Sequence, residues 1–216
     1  MAERFTFTSE RSSGTAELEG CLALPDKRGP GHGIVLCHPH PAGGGEMDVG
    51  LLRAIERRGV AAGFAVMRFN FAGVGASTGI FTEGLDEPVD VAAAFEYMKS
   101  YGDIDEVSVA GWSFGAWMAL MAIADGVPAS SCVAVAPPLM LYDWRPHVGR
   151  IAASATKRHY IVGSNDQFCP LDFLKEFARA ISEEDAASLM TLPATDHFLF
   201  GREDMVAELV LEFVEG

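Results

Sequence analysis

The sequence has no long apolar run, no excess of basic residues and no early apolar segment. No stretch of its 216 residues reaches the uninterrupted apolar length that a membrane helix requires. Charges at Glu3 and Arg4 interrupt the N-terminus, which is unlike a secretory leader. With 30 acidic and 16 basic residues the formal net charge is -14, which disfavours nucleic acid and anionic membrane surfaces as partners.

Paired cysteine motifs are also missing. The four cysteines are scattered and form no C-x-x-C pair: Cys21, Cys37, Cys132 and Cys169. Several of them fall in predicted strands, where a free cysteine behaves as a small hydrophobic residue. We therefore expect a reduced protein and a cytoplasmic location.

The composition is that of one globular domain, covering 1–216. Hydrophobic residues make up 49% and charged residues 21% of the chain, and no repeat or linker is visible. Short β-branched runs predict strands at 4–8, 18–24, 33–37, 65–70, 107–110, 132–136, 159–162 and 188–192. Longer runs predict helices at 48–62, 88–100, 114–124, 171–181 and 203–214.

Alternation of strands and helices predicts an α/β fold with a mostly parallel, twisted sheet of about eight strands and helices on both faces. The first two strands are joined by a turn at 12–14 and should form an antiparallel hairpin. The segment 137–158 is too short for a separate lid domain. It should be one helix or a loop with Trp144 and His147 exposed, either over an open pocket or at a dimer contact.

The motif G-x-S-x-G follows the predicted strand 107–110, with Ser113 at its centre and Gly111 and Gly115 beside it. A strand that turns sharply into a helix at such a motif is typical of a nucleophilic serine. The small glycines allow a strained turn that lifts the hydroxyl above the sheet. Alone the motif is weak, because glycine-rich turns are common, and a base and an acid must follow it.

Asp166 and His197 follow in the order that this type of site requires. Asp166 comes just after the predicted strand 159–162, although an Asp there could also cap the next helix. His197 comes after the last predicted strand. The other five histidines all precede Asp166 in the sequence, so the required order selects His197. Asp196 is a competing acid, but an adjacent residue cannot easily reach the imidazole while its other nitrogen faces Ser113.

The loop after strand 33–37 begins His38-Pro39-His40-Pro41 and continues into three glycines. Such a loop should supply one backbone N–H to an oxyanion hole, and Phe114 should supply the other. Proline has no N–H, so His40 is the expected donor.

Two other features near this loop invite different interpretations. His38 and His40 could form a metal pair, but no second ligand cluster follows, so we expect no metal and no cofactor, with His38 bracing the loop. The turn 69–77 resembles a dinucleotide loop but lacks the third glycine, so it should pack under the His38 loop instead. Trp112, beside Ser113, is the best candidate for a wall of the substrate pocket.

Together these residues resemble the α/β-hydrolase superfamily, and more narrowly its small, capless bacterial members with an H-P-H-P loop, which include carboxylesterases. The matching segments are 37–47, 68–77, 111–115, 166–170 and 196–198. The resemblance implies hydrolysis of an ester, without indicating which ester.

The sequence therefore predicts a serine hydrolase acting on a small acyl ester or thioester, with Ser113 as nucleophile, His197 as base and Asp166 as the acid that orients it. An amidase or peptidase of the same mechanism is the first alternative. A non-hydrolytic lyase, a cofactor-free oxygenase or a ligand-binding protein on this fold are others. The sequence leaves a homodimer open.

Overall fold

The computed structural model describes residues 2–26, 31–102 and 104–215, apart from the side chain of Ala186. Residues 1, 27–30, 103 and 216 of the predicted domain lie outside the described part.

Eight described strands form one sheet in the order β1-β2-β4-β3-β5-β6-β7-β8. The strands are β1 (Glu3–Arg11), β2 (Gly14–Ala23), β3 (His32–Cys37), β4 (Ala65–Phe69), β5 (Glu106–Trp112), β6 (Ser131–Val135), β7 (Lys157–Gly163) and β8 (Leu189–Leu192). β1 pairs antiparallel with β2, and β2 pairs antiparallel with β4, whereas β3 to β8 run parallel. The predicted α/β fold with its hairpin and mostly parallel sheet is confirmed.

Seven helices accompany the sheet in the described part of the chain. They are α1 (Gly50–Ala62), α2 (Glu87–Lys99), α3 (Phe114–Ala124), α4 (Val148–Ala153), α5 (Leu171–Ile181), α6 (Glu183–Ala187) and α7 (Glu203–Glu215). α6 was not predicted, and α4 falls in the segment 137–158, where the sequence left one helix or a loop open, because five or six residues are too few to develop a helical period. None of the described helices has both the length and the apolar character needed to cross a membrane.

The sheet separates two hydrophobic cores. Val35 and Cys37 of β3 face one core, together with α2, α3, α4 and α5, whereas Ile34 and Leu36 face the other, together with α1 and α7. Successive side chains of a strand point to opposite faces, and β3 is covered on both. Its run of apolar residues follows from that double burial.

β3 is also the point at which the direction of strand order reverses. The chain passes from β3 to β4 on one side and from α2 to β5 on the other. In open α/β sheets the crevice outside the carboxyl ends of two such strands is the usual place for a ligand. The loops after β3 and β5 are therefore the place to look for a site.

A buried charged cluster lies on the α2 side of the sheet. Arg11 Nη2 donates to Glu87 Oε1 at 2.8 Å, and both side chains are buried. Asp90 accepts hydrogen bonds from the Ser9 hydroxyl at 2.7 Å and from the backbone N–H of Ala72 at 3.1 Å. Burial raises the pKa of Asp90 to about 6 despite these hydrogen bonds. The cluster connects β1, α2 and the chain that follows β4.

The segment 137–158 contains no lid domain. A short 3-10 turn, Arg145–His147, leads directly into α4. The expectation that Trp144 is exposed is wrong: its side chain is only 3% exposed and packs edge-to-face on Phe177 of α5, with ring centroids 5.4 Å apart. The indole anchors the segment to the core.

Replacing Gly163 with alanine tests the close approach between the end of β7 and the loop that follows β8. A Cβ at this position would lie 2.1 Å from the carbonyl oxygen of Thr195. We expect Gly163→Ala to lower the free energy of unfolding by about 2–4 kcal/mol, measured by urea denaturation, because two backbone segments would have to separate.

Gly149→Ala is the matched control. Gly149 lies in α4, and no heavy atom lies within 4 Å of its added Cβ, so its stability should stay unchanged or rise by up to about 1 kcal/mol. Equal effects of the two substitutions would contradict the predicted clash.

Candidate active site

The turn at Ser113 is strained and depends on both neighbouring glycines. Ser113 has φ 54° and ψ −117°, a conformation that costs about 1–3 kcal/mol for a residue with a side chain. A Cβ on Gly111 would lie 2.3 Å from the backbone of Gly115. A Cβ on Gly115 would lie 2.2 Å from the carbonyl oxygen of Cys37 at the end of β3. The glycines thus allow the turn to close on itself and to cross the end of β3.

Three predicted site residues from distant parts of the chain lie in one hydrogen-bonded row. The Ser113 hydroxyl lies 2.8 Å from His197 Nε2. His197 Nδ1 lies 2.9 Å from each carboxylate oxygen of Asp166. All three residues are buried. A Nδ1–H donating to the carboxylate leaves Nε2 free to accept the serine proton.

Asp166 is fixed by the backbone that follows it. Its Oδ1 accepts the N–H groups of Phe168 at 2.9 Å and Cys169 at 2.8 Å. Asp166 therefore shapes its turn and contacts His197 at the same time, but it does not cap α5, whose N-cap residue is Pro170. Asp196 is exposed and accepts the N–H of Phe198 at 3.0 Å.

The Trp112 side chain contacts both the core on one face of the sheet and the loop that contains His197. Its indole packs against the core formed with α1 and α7, and its Nε1–H donates to the carbonyl oxygen of His197 at 3.2 Å. This contact holds the His197 loop against the end of β5. That Trp112 also walls the substrate pocket stays a prediction.

The loop after β3 is held by the ring of His38, which is fully buried. Its Nδ1 lies 2.7 Å from the Pro39 carbonyl oxygen, and its Nε2 accepts the N–H of Phe71 at 3.1 Å. The ring is thus a neutral brace between this loop and the turn after β4. Burial, partly offset by the Pro39 carbonyl, lowers the pKa of His38 to about 4.

Gly45 closes the same loop. A Cβ there would lie 1.9 Å from the carbonyl oxygen of Pro39, and the N–H groups of Gly43 and Gly45 both donate to the carbonyl of His40. Gly44 takes a left-handed conformation at the end of the 3-10 turn Pro41–Gly43. Gly45 therefore serves a close approach within the loop itself.

The two predicted N–H donors belong to residues in contact. The rings of His40 and Phe114 lie 5.2 Å apart, edge to face. Phe114 is the first residue of α3, so its N–H has no partner inside the helix and points out of the helix start. Their function as an oxyanion hole stays a prediction.

Both ring nitrogens of His38 and of His40, the two histidines weighed as a metal pair, face protein groups. His40 Nδ1 accepts the N–H of Ala42 at 3.1 Å, and His40 Nε2 lies 3.2 Å from Glu83 Oε2. Within 2–26, 31–102 and 104–215, no group of three or more His, Cys, Asp or Glu side chains could hold a metal ion.

The glycine turn after β4 contacts the loop that His38 braces. The Asn70 side-chain oxygen accepts the N–H of Met47 at 2.8 Å, and Gly75 lies against the Asn70 amide, 2.3 Å from where a Cβ would be. Sequence reasoning missed Glu83 and Phe168 near this site. Glu83 belongs to no motif, and Phe168 lies in the matching segment 166–170 without a role predicted for it, so only the three-dimensional structure brings them to His40 and His197.

Acidification should destabilise the fold through His38. The unfolded imidazole takes up a proton near pH 6.5 and the folded one only near pH 4, so the unfolded chain binds more protons between these values. The contribution of neutral His38 should therefore decrease by about 3 kcal/mol between pH 7 and pH 4. Urea denaturation of the wild type and of His38→Gln at both pH values measures this decrease in the free energy of unfolding.

The two proteins share their other titrating groups, so the difference between their free energies of unfolding isolates residue 38. That difference should shrink as the pH falls. A difference that stays constant between pH 7 and pH 4 would show that His38 is not held in its neutral form.

Known proteins share this fold over almost its full length. Residues 8–188 match the family X-Pro dipeptidyl-peptidase (S15 family). An alpha-beta serine hydrolase homologue from Coxiella burnetii is 26% identical with a TM-score of 0.82, covering 98% of this chain and 96% of that one. XC6422 from Xanthomonas campestris, a serine hydrolase without a lid, is 24% identical with a TM-score of 0.81, covering 99% and 94%.

The esterase Pf2001 from Pyrococcus furiosus is more distant. It is 18% identical with a TM-score of 0.74, covering 97% of this chain and 92% of that one. Since the family match spans most of the sequence and the eight-stranded sheet is that of the lidless serine hydrolases, the chain belongs to the X-Pro dipeptidyl-peptidase (S15) family and is a hydrolase of the α/β-hydrolase fold.

Proposed function

We propose that the protein cleaves small acyl esters or thioesters through an acyl-enzyme on Ser113. The observation that carries the proposal is the unbroken row of hydrogen bonds from Ser113 through His197 to Asp166, at a strained turn between β5 and α3. A serine hydroxyl is a weak nucleophile at neutral pH and needs such a base.

In the first half-reaction the Ser113 oxygen attacks the carbonyl carbon and its proton passes to His197 Nε2. Asp166 holds the imidazole in the tautomer that can accept this proton and stabilises the imidazolium that results. The backbone N–H groups of His40 and Phe114 stabilise the negative charge on the former carbonyl oxygen. His197 then returns the proton to the leaving oxygen, and the carbon–oxygen bond breaks.

In the second half-reaction water attacks the acyl-enzyme. His197 takes a proton from the water, the tetrahedral intermediate collapses, and Ser113 regains its proton as the carboxylic acid leaves. No group outside the row Ser113, His197 and Asp166 and the two N–H groups is needed for either half.

Peptide cleavage is the second candidate, because the matched family is one of X-Pro dipeptidyl-peptidases. The acylation machinery is the same for an amide, and the leaving group alone differs. The match ends at residue 188, before His197. The esterase neighbour supports the ester reaction, and the family description supports the peptide reaction, so both substrates belong in one test.

We expect a fluorophosphonate probe to label the wild type on Ser113, and Ser113→Ala to lose both labelling and hydrolysis of p-nitrophenyl esters, the latter by at least about 10³-fold. Intact-mass and peptide mass spectrometry locate the label. Parallel assays with p-nitrophenyl acetate, butyrate and octanoate and with Ala-Pro-p-nitroanilide separate ester from dipeptidyl-peptidase activity.

Asp166→Asn and Asp196→Asn form a matched pair of controls. The first should lower kcat about 10³–10⁴-fold because the imidazole loses its tautomer, and the second should leave it close to wild type. A folded wild type that is not labelled would instead favour a lyase, a cofactor-free oxygenase or a ligand-binding protein.

A further inference from the structure

Two exposed aromatic rings follow the candidate base directly. Phe198 is 45% exposed and Phe200 is 79% exposed, and their rings stack with centroids 5.9 Å apart and planes 13° apart. Exposed aromatic rings side by side on a soluble protein commonly mark a binding surface.

The residue between them explains why both rings point outward. Leu199 is only 1% exposed, its side chain belongs to the core beside α7, and its φ is 57°. A branched residue in this left-handed region is strained, and such strain is concentrated at functional sites. Leu199 thus anchors the turn in the core while Phe198 and Phe200 are presented to solvent.

Aromatic rings also surround the imidazole of His197. Phe168 lies edge-to-face on it with centroids 4.9 Å apart, and Phe198 does the same at 5.9 Å. In the proposed reaction His197 Nε2 hands its proton to the leaving oxygen, so the leaving group must lie next to this ring. The alcohol part of the substrate therefore lies beside Phe168 and Phe198, and Phe200 extends this aromatic surface by stacking on Phe198.

We infer that Phe168, Phe198 and Phe200 form a subsite for the leaving group, and that the natural ester carries an apolar, preferably aromatic, alcohol. The inference rests on the proposed function, since it needs His197 as the proton donor. Flat aromatic rings gain from stacking and edge contacts with a second aromatic ring beyond simple burial.

Acetate esters of methanol, butanol and benzyl alcohol test the subsite, because they share one acyl-enzyme and differ only in the leaving group. We expect kcat/KM of the wild type to rise from methyl to benzyl acetate. Phe198→Ala and Phe200→Ala should each lower the benzyl-to-methyl ratio of kcat/KM about five- to tenfold. Methyl esters of longer acids should keep their relative kcat/KM values in both variants.

Met205→Ala is the control, because Met205 is also 45% exposed but lies in α7. It should keep the wild-type ratio. An unchanged ratio in both phenylalanine variants would overturn the inference while Ser113→Ala still abolishes labelling and leaves the proposed function intact. The inference would also be overturned if Phe198→Ala and Phe200→Ala leave the kcat/KM ratio unchanged and instead convert a dimer to a monomer in sedimentation. The two rings would then contact a second copy of the chain.

A second, independent observation concerns Glu83 and the loop that contains His40. Glu83 has φ 58°, again a strained conformation, and its carboxylate lies 3.2 Å from His40 Nε2. Because His40 Nδ1 accepts the N–H of Ala42, the ring proton is on Nε2, and Nε2–H donates to Glu83.

The chain on either side of Glu83 is fixed by Glu87. Glu87 Oε1 accepts the N–H of Thr82 at 2.7 Å, and Oε2 accepts the N–H of Gly84 at 2.6 Å. Glu87 is itself buried and paired with Arg11. Glu83 is therefore presented to His40 by a segment that is tied to the core.

We propose that Glu83 is a positioning residue, which orients the His40 ring and through it the backbone N–H that stabilises the oxyanion. It acts on the transition state through His40 and touches no reacting atom. This proposal also rests on the proposed function. Loss of the carboxylate should affect kcat more than KM, because the oxyanion exists only after attack.

Glu83→Ala should lower kcat for p-nitrophenyl acetate about tenfold with KM nearly unchanged, and should slow fluorophosphonate labelling by a similar factor. Glu83→Gln, whose amide oxygen can still accept from Nε2–H, should recover most of the activity. Thermal unfolding should stay near that of the wild type, because the Glu83 side chain is 73% exposed.

Glu106→Gln is the matched control, because Glu106 is 67% exposed and faces His32 at 3.9 Å at the opposite end of the sheet. It should behave as wild type. Equal kinetics of Glu83→Ala and Glu106→Gln would overturn the positioning role, as would a loss in kcat that Glu83→Gln does not recover. Labelling of Ser113 in the wild type keeps the proposed function separate from either result.

Discussion

The site depends on one steric constraint, the close packing of three backbone segments where β5 turns into α3. Ser113 is held at φ 54° only because Gly111 and Gly115 leave no Cβ in the space between the turn and the end of β3. The same crossing brings the loop that begins at His38 next to the start of α3. A similar approach at Gly163 sets the loop of His197 against the end of β7. Short contacts between backbones, rather than long side chains, thus fix the spacing of the site.

Buried charge provides the second level of support. Glu87 and Asp90 lie three residues apart on α2 and therefore on one side of the helix. Asp90 accepts the N–H of Ala72, and Glu87 accepts the N–H groups on either side of Glu83, so α2 holds both ends of the segment 72–84. Arg11 compensates the charge of Glu87. Because an unpaired buried charge is costly, removing any member would disturb the segment beside the His40 loop.

The sequence was enough to predict the fold and the grouping of Ser113, Asp166 and His197, because strand periodicity and chain order carry that information. It was not enough for contacts that depend on the positions of distant loops. The side chain of Trp112 lies beside Ser113 in sequence, yet it faces the core with α1 and α7 and binds the backbone of His197. Trp144 was expected at the surface but is buried, because its anchoring partner, Phe177, lies 33 residues away on another helix. Glu83 belongs to no motif, and it faces His40 on a segment that Glu87 holds on both sides through the N–H groups of Thr82 and Gly84.

Two loops around the site are built alike: one buried side chain packs in the core, and the side chains near it in the sequence are exposed. Leu199 anchors Phe198 and Phe200, and Trp144 anchors the segment in which Met140 and Leu141 are half or more exposed. Replacing a buried anchor alters core packing and the free energy of unfolding, whereas replacing an exposed neighbour alters only the surface beside the site. Under the leaving-group proposal, Phe198 and Phe200 are the exposed side chains that select the substrate.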